Sequence, residues 1–143
     1  MKIGRAIFVL CAAAWMSLIF YLSSIPGDQL GPDTLVVNAI KKLGHMVIFG
    51  VLAALYLYAI KGKKSLVETQ NVPFLLSLLL TSLYAISDEY HQSFTPGRHS
   101  SGKDVLIDVC GVLTVLVLLY VLKTGEKRKH QGDHCHGKAV DHR

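Results

Sequence analysis

Four apolar runs divide the chain, at 6–22, 44–60, 72–86 and 105–122, each 15 to 18 residues long. A membrane-spanning helix needs roughly 17 to 25 such residues, so each run is at or just under spanning length. Flanking residues in the headgroup layer can lengthen the shorter ones, and Pro73 stands where a helix tolerates proline, in its first turn. The pattern predicts an all-α, polytopic membrane protein: a bundle of about four transmembrane helices. Residues 1–124 form the transmembrane domain, and 125–143 a polar, His-rich tail expected to be disordered.

The first run has a rival reading. Lys2 and Arg5 ahead of an apolar stretch also describe a cleaved signal peptide. The apolar core of 17 residues exceeds the roughly 7 to 15 of such a peptide, and bulky Leu10 precedes Cys11, which argues against a lipid-attachment site. An uncleaved helix is the expectation.

Composition agrees with the pattern. Hydrophobic residues make up 51% of the 143-residue chain and charged residues only 17%, too apolar for a soluble domain of this size. The net charge of +5 is gathered into short clusters between the apolar runs without interleaved aromatics, which favours a membrane surface over nucleic acid. Cys11 and Cys110 lie within apolar runs and Cys135 in the tail, so no disulfide framework is indicated and the redox compartment stays open. With both termini cytoplasmic, eleven Lys and Arg residues lie inside and four outside, predicting an N-in, C-in topology. The first and third loops would then share the outer face.

That orientation gathers ionisable residues at one membrane surface: Lys42, His45, Asp88, Glu89, Arg98, Asp104 and Asp108. Asp88 and Glu89 end the third run, where a helix dipole disfavours anions, while Lys42 and His45 begin the second, where it disfavours cations. Both mismatches would be relieved if Lys42 or His45 faced Asp88 or Glu89. Ser101-Gly102-Lys103-Asp104 reads equally as a capping box for the fourth helix. Asp108 lies one turn deeper among Leu106, Ile107 and Val109, and a carboxylate inside a spanning segment is costly and usually functional. Gly111 suits close helix approach. Gln92 is within one turn of the carboxylates, and Arg98, after the Pro96-Gly97 turn, can fold back over them, clamp a phosphate or anchor in the headgroups. His91 and His99 read as loop histidines. The tail's His134-Cys135-His136 has a metal-binding flavour, but no second ligand set with zinc spacing accompanies it. No metal or other cofactor is indicated.

These residues resemble the VanZ-like family of integral membrane proteins. The resemblance rests on Asp88-Glu89-x-x-Gln92-x-Phe94-x-Pro96-Gly97-Arg98, followed by Asp104 and Asp108-x-x-Gly111, with Lys42-x-x-His45 and Ser23-Ser24-x-Pro26 ahead of them. One departure is Phe49-Gly50, where the family usually carries a tyrosine. The resemblance implies a small membrane protein of the bacterial envelope. The family's namesake is associated with low-level resistance to teicoplanin-type glycopeptides, and no reaction follows from membership.

Two functions stay open. In one, Asp88, Glu89 and Asp108 are the catalytic acid and base, and Lys42, His45, Gln92, Arg98 and Asp104 bind a lipid-linked saccharide or cell-wall precursor at the outer leaflet. In the other, the cluster only clasps the helices and the protein binds an envelope component without catalysis. A transporter is disfavoured, since four short helices show no repeat. Membrane lipids are expected partners under either.

Overall fold

The computed structural model describes residues 2–32, 34–61, 71–98 and 100–140. Its helices are α1 (Lys2–Ser23), α2 (Leu35–Lys61), α3 (Asn71–Gln92) and α4 (Gly102–Val140), with a short 3-10 turn at Gly27–Leu30 between α1 and α2. No strand occurs among the described residues. All four helices contain a stretch long and apolar enough to cross a membrane, so the chain is a multi-pass membrane protein.

Two helices reach well beyond their apolar runs. α2 starts at Leu35 rather than near Gly44. Thr34 caps it, its carbonyl accepting the Asn38 N–H at 3.0 Å and its hydroxyl the Val37 N–H at 3.3 Å. Asn38, Lys41 and Lys42 end the apolar run without ending the helix, because their spacing puts them on one face. α3 continues to Gln92, carrying Asp88, Glu89 and His91 within its last turns, so His91 is helical rather than a loop residue. Helical backbone also continues beyond the apolar part of α4 to Val140, through most of the segment separated above as a polar tail. Residues 141–143 and His99 lie outside the described residues.

α2 is the central helix. It packs against α1, α3 and α4, while α3 also packs on α4 and meets α1 at few points. Phe49, Leu52 and Ala53 of α2 are fully buried, together with Ile19, Ala85, Val112 and Leu116 from the other three helices. Large apolar side chains such as Leu10, Val47, Leu79 and Val121 face outward, as lipid contact requires.

Lipid tails are as apolar as leucine, so burial against them does not drive helices together; close packing and interhelical hydrogen bonds do. Gly111 lies so close to α2 that an added Cβ would meet the Met46 backbone at 2.5 to 2.9 Å, which confirms its role in close approach. Trp15 Nε1 donates to the Ile48 carbonyl at 2.9 Å, Tyr84 OH to Met16 O at 2.7 Å and Ser77 Oγ to Ala53 O at 2.6 Å. These bonds tie α1 to α2, α1 to α3, and α2 to α3. Phe49 is fully buried, with the ring centroids of His45 and Tyr84 6.1 and 6.2 Å away.

Candidate functional site

The α1–α2 and α3–α4 connections lie at the same end of the bundle and interlock there. Gly27 N–H donates to Pro96 O at 2.9 Å, and a Cβ on Gly27 would overlap the Gly97 backbone. Gly97 itself has φ of +70°, which favours glycine. The Ser23-Ser24-x-Pro26-Gly27 and Pro96-Gly97-Arg98 stretches are therefore two halves of one joint.

Beneath this joint the polar side chains sort into two groups. In the first, Ser23 Oγ and Gln92 Nε2 each donate to Asp88 Oδ2 at 2.8 Å, and Gln92 Nε2 also reaches Ser23 Oγ at 3.3 Å. Arg98 completes this group. Its Nη2 donates to Leu22 O at 2.8 Å, Nε to Ile25 O at 3.2 Å and Nη1 to Gln92 Oε1 at 3.2 Å. A cation thus caps the carbonyl end of α1, where the helix dipole favours it. Burial pushes the Arg98 guanidinium down from the usual arginine value, against Asp88 and Glu89, which hold it up. His91 adds a flank contact, stacking on Phe20 with centroids 4.4 Å apart and placing Nε2 3.0 Å from Ser24 Oγ.

The second group lies between α2, α3 and α4. Lys42 Nζ stands 2.9 Å from Asp104 Oδ1, an ion contact, although no hydrogen bond is aligned on that buried oxygen. His45 Nδ1 is 3.7 Å from Asp108 Oδ2, too far for a hydrogen bond. Asp108 is 1% exposed, and its Oδ2 has no hydrogen-bond partner. Glu89 Oε2 instead accepts the Ser101 N–H at 3.2 Å.

These partners differ from the pairing expected above, in which Lys42 or His45 faced Asp88 or Glu89. Both basic residues pair with α4 carboxylates instead. The physical reason is the early start of α2. Lys42 and His45 lie two to three turns inside it, beyond the reach of its positive end, which fades within the first turn. The carboxylates at the negative end of α3 find other relief: hydroxyl and amide donors for Asp88, and the N-terminus of α4 for Glu89. The capping box is also modified. Ser101 Oγ accepts the Lys103 N–H at 3.2 Å, but the acid that answers the Ser101 N–H is Glu89 of α3, leaving Asp104 for Lys42.

A cavity of about 970 Å³ opens between the loops and the second group. Lys42, His45, Glu89, Gln92, Arg98, Asp104 and Asp108 all line it. Asp88 does not; it lies behind Gln92, in the first group. Sequence reasoning missed several lining residues, among them two polar ones on α2, Asn38 and Lys41. Their signal was the spacing Asn38, Lys41, Lys42, His45, which at i, i+3, i+4 and i+7 makes one polar stripe on α2. Among the described residues no three His, Cys, Asp or Glu side chains are gathered closely enough to hold a metal ion.

The model of one protein family, VanZ/LLP1, matches residues 8–123. No curated protein and no solved structure matches the chain. The matched region runs from the first turns of α1 to the end of the apolar part of α4 and contains both polar groups and the cavity, and so the chain belongs to the VanZ-like family.

Proposed function

We propose that this VanZ-like protein lies in the bacterial cytoplasmic membrane with both termini inside, and that its cavity binds the headgroup of a lipid-linked saccharide at the outer face. The observation that carries this reading is Asp108. Its carboxylate is buried in a spanning helix, lacks a hydrogen bond on Oδ2 and lines a cavity large enough for a small ligand. A buried carboxylate without a donor is costly, and a sugar hydroxyl supplies one.

The same groups support acid–base chemistry on that headgroup. Asp108 is placed to accept a hydroxyl proton, His45 stands beside it to share the charge, and Glu89 is the second carboxylate on the cavity wall. Hydrolysis or glycosyl transfer is the corresponding reaction class. Lipid extracts of cells bearing the wild-type chain, Asp108→Asn or neither test this reading. A glycolipid altered only by wild type supports it; three identical profiles overturn it. Following the family's namesake, such a change would also lower susceptibility to teicoplanin, measurable on the same cells.

One observation favours a purely structural second reading. The Ser23–Asp88–Gln92–Arg98 network joins α1 to α3 through satisfied hydrogen bonds, which is how a clasp is built. The two readings part at Asp108, whose replacement by Asn should lower the melting temperature only if it too is part of a clasp.

A further inference from the structure

The cavity wall carries three Lys and Arg cations, and two of them are committed. Lys42 faces Asp104 at 2.9 Å. The Arg98 donors are directed at Leu22 O, Ile25 O and Gln92 Oε1. Lys41 is half-buried on the same wall and makes no hydrogen bond or ion pair with any described residue.

The anions on this wall do not claim it. Asp104 is matched by Lys42, and Glu89 accepts the Ser101 N–H. Asp28 is exposed, and Asp108 stands beside His45. Asp104 Oδ1 lacks an aligned hydrogen bond but has the Lys42 charge beside it, so the needs left without a charged partner or donor are a hydrogen-bond donor for Asp108 and an anion for Lys41. Lys41 precedes His45 by four residues on α2, so the anion would lie about 6 Å nearer the start of the helix than the Asp108 pole.

Depth agrees with this placement. The 27 residues of α2 span about 40 Å, against about 30 Å of hydrocarbon. The start of the helix therefore reaches the headgroup layer, and a lysine in its second turn can extend its ammonium into that layer.

We propose that Lys41 is the phosphate-binding residue of the cavity, so that the ligand is a phosphate-bearing lipid whose phosphate meets Lys41 while its polar head turns back into the cavity and brings a hydroxyl to Asp108. This rests on the headgroup reading given above and adds to it the chemistry of the linkage. Lys41 thereby sets specificity for phosphate-linked over phosphate-free glycolipids.

The test uses the full chain in a polyoxyethylene detergent, which carries neither phosphate nor sugar. Calorimetry measures binding of a polyprenyl-phosphate-linked monosaccharide, of the phosphate-free polyprenyl glycoside of the same sugar, and of inorganic phosphate. Wild type should prefer the phosphate-linked lipid by tenfold or more, the loss expected for one charge-assisted hydrogen bond. Lys41→Gln should erase that preference at an unchanged melting temperature, because Lys41 has no partner to lose among the described residues, and Lys41→Arg should keep it. If inorganic phosphate alone binds wild type and not Lys41→Gln, the anion chemistry stands and its source is the free ion rather than a lipid. A Lys41→Gln variant that retains the preference overturns the inference. If wild type binds both lipids equally and Asp108→Asn weakens both, the Lys41 assignment fails while the headgroup reading survives. If wild type binds none of the three probes, both fail.

Discussion

Glu89 of α3 accepts the backbone N–H of Ser101, the residue that caps α4, at 3.2 Å. One bond thereby answers two problems of local electrostatics: a carboxylate at the negative end of one helix and an unsatisfied amide at the positive end of the next. Because the contact joins two helices across the loop 93–101, it also fixes where α4 begins relative to α3. Replacing Glu89 with Ala should cost about 1 kcal/mol, the usual worth of a capping interaction. A melting temperature in detergent that falls by a few degrees is the expected outcome, and Glu89→Gln should recover part of the loss by still accepting the bond.

The loop joint predicts a contrast between glycines. A Cβ at Gly27 would overlap the Gly97 backbone, which cannot move without unseating the Pro96–Gly97 turn, whereas a Cβ at Gly4 meets nothing within 4 Å. Gly27→Ala should lower the melting temperature clearly. Gly4→Ala should leave it unchanged or raise it, by up to about 1 kcal/mol of helix propensity. Equal effects at the two positions would show that the loops do not meet in this way.

A similar comparison applies to the α2–α4 seam. Gly111 faces the Met46 backbone, while an added Cβ on Gly50 would meet Cγ2 of Val115 at 2.6 Å, a side-chain atom rather than backbone. Gly111→Ala should therefore destabilise more than Gly50→Ala, as thermal melts of the two variants in the same detergent would show. The reverse order would place the tight contact elsewhere.

The number of helices and their order could be read from the four apolar runs, because spanning length is a strong and simple constraint. The residues gathered at one end could also be read, since alternate loops of a four-helix bundle share an end. Their partners could not. The run at 44–60 hid nine residues of helix, because Asn38, Lys41 and Lys42 look like loop by hydropathy and form a stripe only once a 3.6-residue period is imposed. That error carried the dipole reasoning to α3 carboxylates instead of Asp104 and Asp108. The partners of Arg98 escaped for another reason: Leu22 O and Ile25 O are backbone atoms, which no side-chain pattern displays.

Arg98 accordingly gives a prediction that charge alone would not. Three of its nitrogens donate in three directions, to Leu22 O, Ile25 O and Gln92 Oε1. Lysine keeps the charge but offers a single flexible nitrogen, so Arg98→Lys should destabilise nearly as much as Arg98→Ala. If Arg98 served only as a headgroup anchor, lysine would substitute without loss, and matched melting temperatures for wild type and Arg98→Lys would establish that.

Asp88 and Asp108 are two buried carboxylates with opposite expectations. Asp88 Oδ2 accepts from both Ser23 and Gln92, and hydrogen bonds to a charged group are each worth about 1.5 to 3 kcal/mol, so Asp88→Ala should unfold the α1–α3 end or lower its melting point strongly. Asp108 has no hydrogen bond on Oδ2 to lose, and His45 Nδ1 stands 3.7 Å away, beyond hydrogen-bond reach, so removing its charge removes a desolvation cost. Asp108→Asn should therefore melt at or above the wild-type temperature while abolishing the lipid change seen in cells. A substitution that stabilises a protein and silences it marks a residue kept for function, whereas a melting temperature that falls as far as that of Asp88→Ala would make Asp108 a second clasp and leave the cavity without its acid.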